Sequence, residues 1–194
     1  MLRRTLTQAE RREQTRRALI AAARQLFAAQ GFAGTSTPEI AEAAGVTRGA
    51  LYHHFADKAA LFVAVVEEEH LLIAMAVNGA AAGEDEPGPI KAVLGTCNAF
   101  LDAMSDPGRR RIMLVDAPSV LGNTTLSRIE EQYGLSATVR SLGEAMELGV
   151  MRRLPIAPLA QLLRAMLDRA AMAPEAEQAD YRKAIKALVR GLKT

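Results

Sequence analysis

The sequence predicts an all-α protein, with an N-terminal three-helix domain holding a helix-turn-helix and a helical bundle after it. Three observations carry this. No segment alternates polar and β-branched residues as a strand does, whereas Ala, Leu, Arg, Glu and Met recur at helical spacing almost throughout. The capping residues Ser36, Thr47 and Asp57 follow one another closely, so short helices must be joined by tight turns. Pro107, Pro118, Pro155, Pro158 and Pro174 then punctuate the remainder.

Taken in order, the first helix is expected over 13–30, with Leu19, Ile20, Ala23, Leu26 and Phe27 on one face and Gly31 as its stop. In Ser36-Thr37-Pro38-Glu39, Ser36 caps backbone amides and Glu39 returns to the Ser36 amide. Pro38 suits a first turn whose N–H groups have no partners. A short helix running to Gly45 follows, then another over 48–54 capped by Thr47. Asp57 opens a fourth from Lys58 to about Gly79, and 83–89 reads as a loop. Further helices are expected near 89–105, 107–115, 124–148, 156–173 and 175–192. The domain boundary falls after residue 56. Residues 1–56 form the helix-turn-helix domain, with 1–11 a basic arm, and 57–194 form the helical domain.

Apolar residues make up 49% of the chain and charged residues 24%, which suits a globular protein and excludes disordered, collagen-like and disulfide-dense classes. The single Cys97 excludes an internal disulfide and any multi-cysteine zinc site. Residues 1–14 carry Arg3, Arg4, Arg11 and Arg12 without a signal-type apolar run, and no stretch reaches the ~18 apolar residues that span a bilayer. A cytoplasmic protein with no membrane partner is expected. Basic charge gathers at the N-terminal end, where residues 1–60 hold nine Lys or Arg against five acids, while the rest holds 15 against 17. That asymmetry points mildly to a polyanion, or to a solvated basic face. Eight aromatics and no Trp poorly supply a stacking platform for single strands and leave duplex contact open.

Residues 36–54 place a capped short helix, the turn Ala44-Gly45-Val46-Thr47 and a second short helix in series, the arrangement that sets its second helix in a major groove. Ile40, Ala41, Ala44, Val46, Leu51, Tyr52 and Phe55 would pack the helices together. Arg48, Gly49, Ala50, His53 and His54 then remain outside. Arg48 lies at the N-terminal end, where a guanidinium fork fits guanine O6 and N7, while Gly49 and Ala50 admit close approach. Lys58, the Ser36/Thr37 helix start and the N-terminal arginines are expected on phosphates.

The run Ala21-Ala22-Ala23-Arg24-Gln25-Leu26-Phe27 with Gly31-Phe32, then 36–46, then Gly49-Ala50-Leu51-Tyr52-His53-His54-Phe55 and Lys58-Ala59-Ala60-Leu61, resembles the DNA-binding domain of TetR/AcrR-type transcriptional repressors. The likeness covers about residues 12–65; the Leu114–Ser119 run resembles a stretch in some actinobacterial-type members. The resemblance implies a homodimer on an inverted-repeat double-stranded operator, a C-terminal ligand-binding and dimerisation domain, and release by a small apolar or amphipathic effector. By motif position it implies DNA contacts at Thr37, Arg48, Gly49, Ala50, Tyr52, His54 and Lys58, with Tyr52 and Lys58 on phosphates. The rival reading is a small-molecule-binding or catalytic helical protein whose N-terminal module does not act on DNA.

Against catalysis, no nucleophile with a base, no paired carboxylates in a metal pattern and no glycine-rich phosphate loop can be assembled, so no catalytic residue, metal or cofactor is expected. His53 and His54 point about 100° apart on a helix and lack a third ligand, and Glu67-x-x-His70 lacks the second copy a di-iron bundle needs. The Arg109-Arg110-Arg111 run reads as a solvated helix start, with an interdomain contact as its alternative. Pocket candidates are Met75, Phe100, Met104, Met113, Leu114, Met146, Met151 and Met166, because thioethers suit varied apolar ligands, though Met at helical spacing is usually plain core. His70, Asn98 and Asp116 would be polar members of the pocket. Cys97 is placed with them, or as a small core residue. Leu159, Leu163 and Met166 on one late helix, with Tyr181, Ile185, Leu188 and Val189 on the last, form stripes broad enough for a second subunit to cover part.

Overall fold

The computed structural model describes residues 7–82, 88–134 and 136–194, and among these ten α-helices form the fold. The extended pairing among them is one isolated bridge, Met151 to Lys193. Helix α1 (Gln8–Gly34) starts five residues before the expected point because Thr7 closes a capping box. Its hydroxyl accepts from the Glu10 amide at 3.2 Å, and the Glu10 carboxylate accepts from the Thr7 amide at 2.7 Å. Residues 8–11 therefore belong to the helix and not to an arm, while 1–6 lie outside the described residues.

Gly31 interrupts α1 as expected, with φ +78° and ψ 171°, a region reserved for glycine. The carbonyls freed at this corner are satisfied by cations from elsewhere. Arg111 donates to Ala29 O at 2.9 Å and to Gln30 O at 2.8 Å, and Lys58 donates to Phe32 O and Thr35 O at 2.8 Å each. Phe27, Phe32 and Phe62 pack with ring centroids 5.0 to 5.7 Å apart and tie this corner to α4.

Helices α2 (Thr37–Ala43) and α3 (Arg48–His54) carry the predicted Ser36–Glu39 capping box and Thr47 cap. Gly45, at φ +66°, makes the turn between them. Ile40, Ala41, Leu51 and Phe55 are buried against α1. Asp57 accepts from the Ala60 amide at 2.7 Å at the head of α4 (Lys58–Ala82), which is about 37 Å long. Its near half packs on α1 through Leu61, Phe62, Val65 and Val66, and its far half enters the bundle through His70, Ile73 and Val77. The expected loop over 83–89 falls largely outside the described residues, which resume at Gly88.

The bundle consists of α5 (Pro89–Ala103), α6 (Pro107–Arg110), α7 (Ala117–Ile129), α8 (Ser136–Glu147), α9 (Ile156–Ala171) and α10 (Glu175–Arg190). Two expectations need correction here. The stretch after 115 is helical, because a π-helical turn over Arg111–Asp116 leads into α7 with Pro118 in the first turn, where its missing N–H is harmless. The helix expected over 124–148 is divided. A second π turn, Glu130–Gly134, adds a residue to the turn and lets the chain leave its packing on α4 and rejoin α5 and α9 as α8. Gly122, at φ +68°, also bends α7.

The Gly31 corner is testable. Gly31→Ala forces a side chain into a backbone region closed to it and puts a Cβ 2.6 Å from Arg111 Nη2. A loss of about 1–3 kcal/mol in urea unfolding is expected, whereas Gly45→Ala, with open space around its Cβ, loses only the backbone part.

Candidate nucleic-acid interface and inner cavity

The outer edge of α3 is built by its neighbours. Thr47 Oγ1 accepts from the Ala50 amide at 3.1 Å and fixes the helix start, so Arg48 leaves it from the first turn, exposed. Tyr52 stands 42% exposed beside it, its ring 5.6 Å from the Arg48 guanidinium and its hydroxyl sharing a 3.1 Å hydrogen bond with Thr37 of α2. Thr37, and after it Arg48, hold the Tyr52 hydroxyl below its usual pKa. Gly49 is exposed, and a Cβ there would meet nothing closer than Thr47 Oγ1 at 3.9 Å. No contact among the described residues demands this glycine.

His53 and His54 stack edge to face at 5.7 Å, with His53 exposed. Burial first, then His53, Arg12 and Arg16, lower the His54 pKa. Ser36 is exposed and serves as the α2 cap. Thr37, Arg48, Gly49, Ala50 and Tyr52 thus share one outward surface on α2 and α3. Lys58 departs from the expected phosphate role. Its ammonium turns inward onto Phe32 O and Thr35 O and lies 4.2 Å from the Phe32 ring centroid.

Two cavities, the larger of them open to the surface beside half-exposed Met172, meet at His70 and Arg164. One of about 30 Å³, room for a water or two, is lined by Thr96, Phe100 and Tyr133 among others; the other, of about 290 Å³, by Met113, Leu114, Leu126, Glu130, Asp168 and Met172. Arg164 donates from Nε to Asp168 at 2.9 Å and lies 4.6 Å from the Phe100 ring centroid. Burial raises the pKa of Asp168 against the pull of Arg164, and raises that of Glu130 in the same way. His70 is buried, its Nδ1 within 2.9 Å of Val66 O, and burial pushes its pKa down to about 4.

Of the expected pocket residues, His70, Phe100, Met113 and Leu114 line these cavities. Met75 does not, standing 62% exposed on α4. Met104, Met146 and Met151 are core, and Met166 is half-buried on α9 away from either lining. Cys97 is buried, its thiol pushed up to about 11 by burial. Asn98 is exposed and accepts from Arg182 at 3.3 Å, along a groove between α5 and α10. Asp116 serves the α1 corner, accepting from the Phe32 amide at 2.9 Å. Glu67 accepts from Arg128 while His70 turns inward, so the two form no ligand pair. Among the described residues no group of three His, Cys, Asp or Glu could hold a metal ion.

Sequence reasoning missed Arg164, Asp168, Glu130 and Tyr133. A signal was present, because Arg164 and Asp168 are spaced i, i+4 directly beside the apolar stripe of Leu163 and Leu167. The expected dimer stripe also needs correction. Leu163, Ile185 and Val189 are buried within the chain's own core, where α5, α9 and α10 meet, leaving Leu188 at 56% and Leu162 of the same stripe at 64% exposed, with Leu159, Met166 and Tyr181 half-buried.

The head and bundle are joined by an ionic cluster that gives the triple-arginine run its place. Glu69 of α4 accepts from Arg24 of α1 at 2.7 Å and from Arg109 of α6 at 2.5 Å, while Arg24 also reaches Asp106 at 2.5 Å. Gly108 lets α6 touch α1, since a Cβ there would sit 2.6 Å from Ala28 Cβ.

The pattern of bacterial regulatory proteins of the tetR family matches residues 19–65, and that of the tetracyclin repressor-like C-terminal domain matches 90–193, over half of the chain. The chain belongs to the TetR family. The HTH-type transcriptional regulator AcrR of Shigella flexneri is 48% identical over 67 residues, 34% of this chain and 30% of that protein. The HTH-type transcriptional regulator TtgR of Pseudomonas putida is 46% identical over 70 residues, 36% of this chain and 32% of that protein. Those matches thus span about a third of each relative's length. A solved TetR-family transcriptional regulator from Pectobacterium atrosepticum is 30% identical, covers 97% of this chain and 98% of its own, and superposes with a TM-score of 0.80. No helix among the described residues is long and apolar enough to cross a membrane.

Two outcomes follow from these positions. Lys58→Met keeps the stem on Phe32 but removes two hydrogen bonds to carbonyls. It should lose about 1–3 kcal/mol in urea unfolding and leave the salt dependence of DNA binding unchanged. For His70 the folded pKa of about 4 lies below the 6.5 of a free imidazole. The unfolded chain therefore takes up a proton that the folded one refuses as pH falls from 6.5 toward 4, and stability declines over that window. Relative to His70→Leu, the native chain should lose about 2–3 kcal/mol more between pH 7 and 4.5, read from unfolding curves at both values, with Arg164 and Glu69 unaltered beside the site.

Proposed function

We propose that this chain is a DNA-binding transcriptional regulator acting in the cytoplasm as a homodimeric repressor. On this reading residues 1–56 read an inverted-repeat operator, and the following helical domain dimerises and holds a small effector. The observation that carries the reading is the outer edge of α3, where a propped arginine, a glycine with no internal reason to be one, and a small alanine stand together. Arg48 then reads a guanine edge, Gly49 and Ala50 let the helix approach the bases, and Tyr52 with Thr37 and the Ser36 helix start meets phosphates. His53 and His54 lie along the far end of the same helix. Membership of the TetR family and the names of AcrR and TtgR support this reading.

Exposed Leu162 and Leu188, with half-buried Leu159, Met166 and Tyr181, supply an apolar face for the second subunit. Two α3 helices held about 34–36 Å apart would enter successive major grooves on one side of the duplex. Release follows from adjacency along α4. His70 on the cavity wall is next in sequence to Glu69, which grips Arg24 of the head. An effector that shifts His70 strains that grip and tilts α1. A coupling of ~1–3 kcal/mol would change operator occupancy by ~5–150-fold.

The test is an operator selected from a random duplex library, followed by fluorescence anisotropy on single-base variants. Arg48→Ala should weaken binding by ~1–3 kcal/mol and relax preference at one base pair per half-site. Unchanged affinity and preference would remove Arg48 from the interface.

A further inference from the structure

The environment of His70 describes the kind of molecule that fits beside it. Its imidazole is 3% exposed, and a backbone carbonyl can only accept, so the 2.9 Å contact with Val66 O puts the ring hydrogen on Nδ1. Nε2 keeps its lone pair, is sealed from solvent and has no hydrogen-bond partner among the described residues. A sealed acceptor without a donor is unfavourable and is relieved by any group that brings a hydrogen. The ring forms part of the wall between the cavities of about 30 and 290 Å³.

The charges on that wall exclude most alternatives. A cation approaching Nε2 meets the guanidinium of Arg164, whose field already disfavours protonation of His70. A carboxylate meets Asp168, which holds Arg164 Nε, and Glu130 beside it, and a lone pair on Nε2 offers it no hydrogen. Two acids and the two arginines 164 and 169 on the larger wall cancel one another. The remaining lining, with Met113, Leu114, Leu126 and Met172, is apolar and pliable.

We propose that the larger cavity takes an uncharged, mainly apolar molecule bearing a hydroxyl, and that this hydroxyl donates to His70 Nε2. The inference rests on the ligand-responsive reading above and names the chemistry of its effector. The hydroxyl supplies the one missing donor, and the apolar body displaces no charged group.

The experiment uses β-naphthol and its methyl ether, in which a methyl group replaces the hydroxyl hydrogen, titrated into the full chain by calorimetry. Naphthol should bind at least about 10-fold more tightly than the ether, because a buried acceptor discriminates against a partner without hydrogen. His70→Leu should abolish the difference, and His70→Gln, which keeps an acceptor, should retain part of it, with circular dichroism confirming that both fold. Equal binding of the pair to the native chain, or a preference that survives in His70→Leu, overturns the assignment, as does tighter binding of β-naphthoate or β-naphthylmethylammonium. The same probes are then added to the operator complex. Naphthol that binds with the expected preference yet leaves the operator bound supports the cavity chemistry and removes the ligand-responsive reading. Release by some other molecule with no naphthol preference does the reverse.

Discussion

Glu69, sealed at 1% exposure, takes Arg24 of α1 on one carboxylate oxygen and Arg109 of α6 on the other, and the placement of the head on the bundle depends on this carboxylate. A buried charge is tolerated only when it is closely partnered, so the two arginines are not interchangeable ornaments of the surface. Removing either leaves one oxygen of the buried Glu69 carboxylate without its cation.

Around that carboxylate the other contacts follow a single theme, in which a broken helix end is completed by side chains from a distant part of the chain. Gly31 opens α1, Arg111 and Lys58 satisfy its carbonyls, and Asp116 takes the Phe32 amide. The Phe27, Phe32 and Phe62 rings fill the space beneath. Polar bonds and apolar packing here fix the same corner, so the direction in which α1 leaves for the α2–α3 pair is set by residues more than seventy positions away as well as by its own sequence.

The local part of this was legible in the sequence. Ser36 with Glu39, Thr47, and Asp57 each act within a few residues, so their caps could be read directly, and Gly31 announced its break. What escaped depended on distant partners. Lys58 looked like a phosphate ligand until Phe32 O and Thr35 O were brought to it, and Asp116 looked like a pocket residue until the Phe32 amide arrived. Thr7 was missed because its cap precedes the apolar stripe that signalled the helix. The π turns at 111–116 and 130–134 leave no mark in apolar periodicity, and so the long helix expected over 124–148 hid its division. Methionine count misled as to the cavity, since Met104 and Met151 fill core while Arg164 and Glu130 shape the walls.

The way Arg111 and Asp116 reach back to α1 bears on how modular such a chain can be. A seam cut at the start of α4 would look clean along the sequence, yet it would separate the Ala29 and Gln30 carbonyls and the Phe32 amide from the groups that complete them. Grafting a foreign α1–α3 unit onto this bundle would thus require carrying the 109–116 segment along, or choosing a donor whose α1 bends at the same place. Inheritance of this corner is shared between two stretches that a splice at the start of α4 would part.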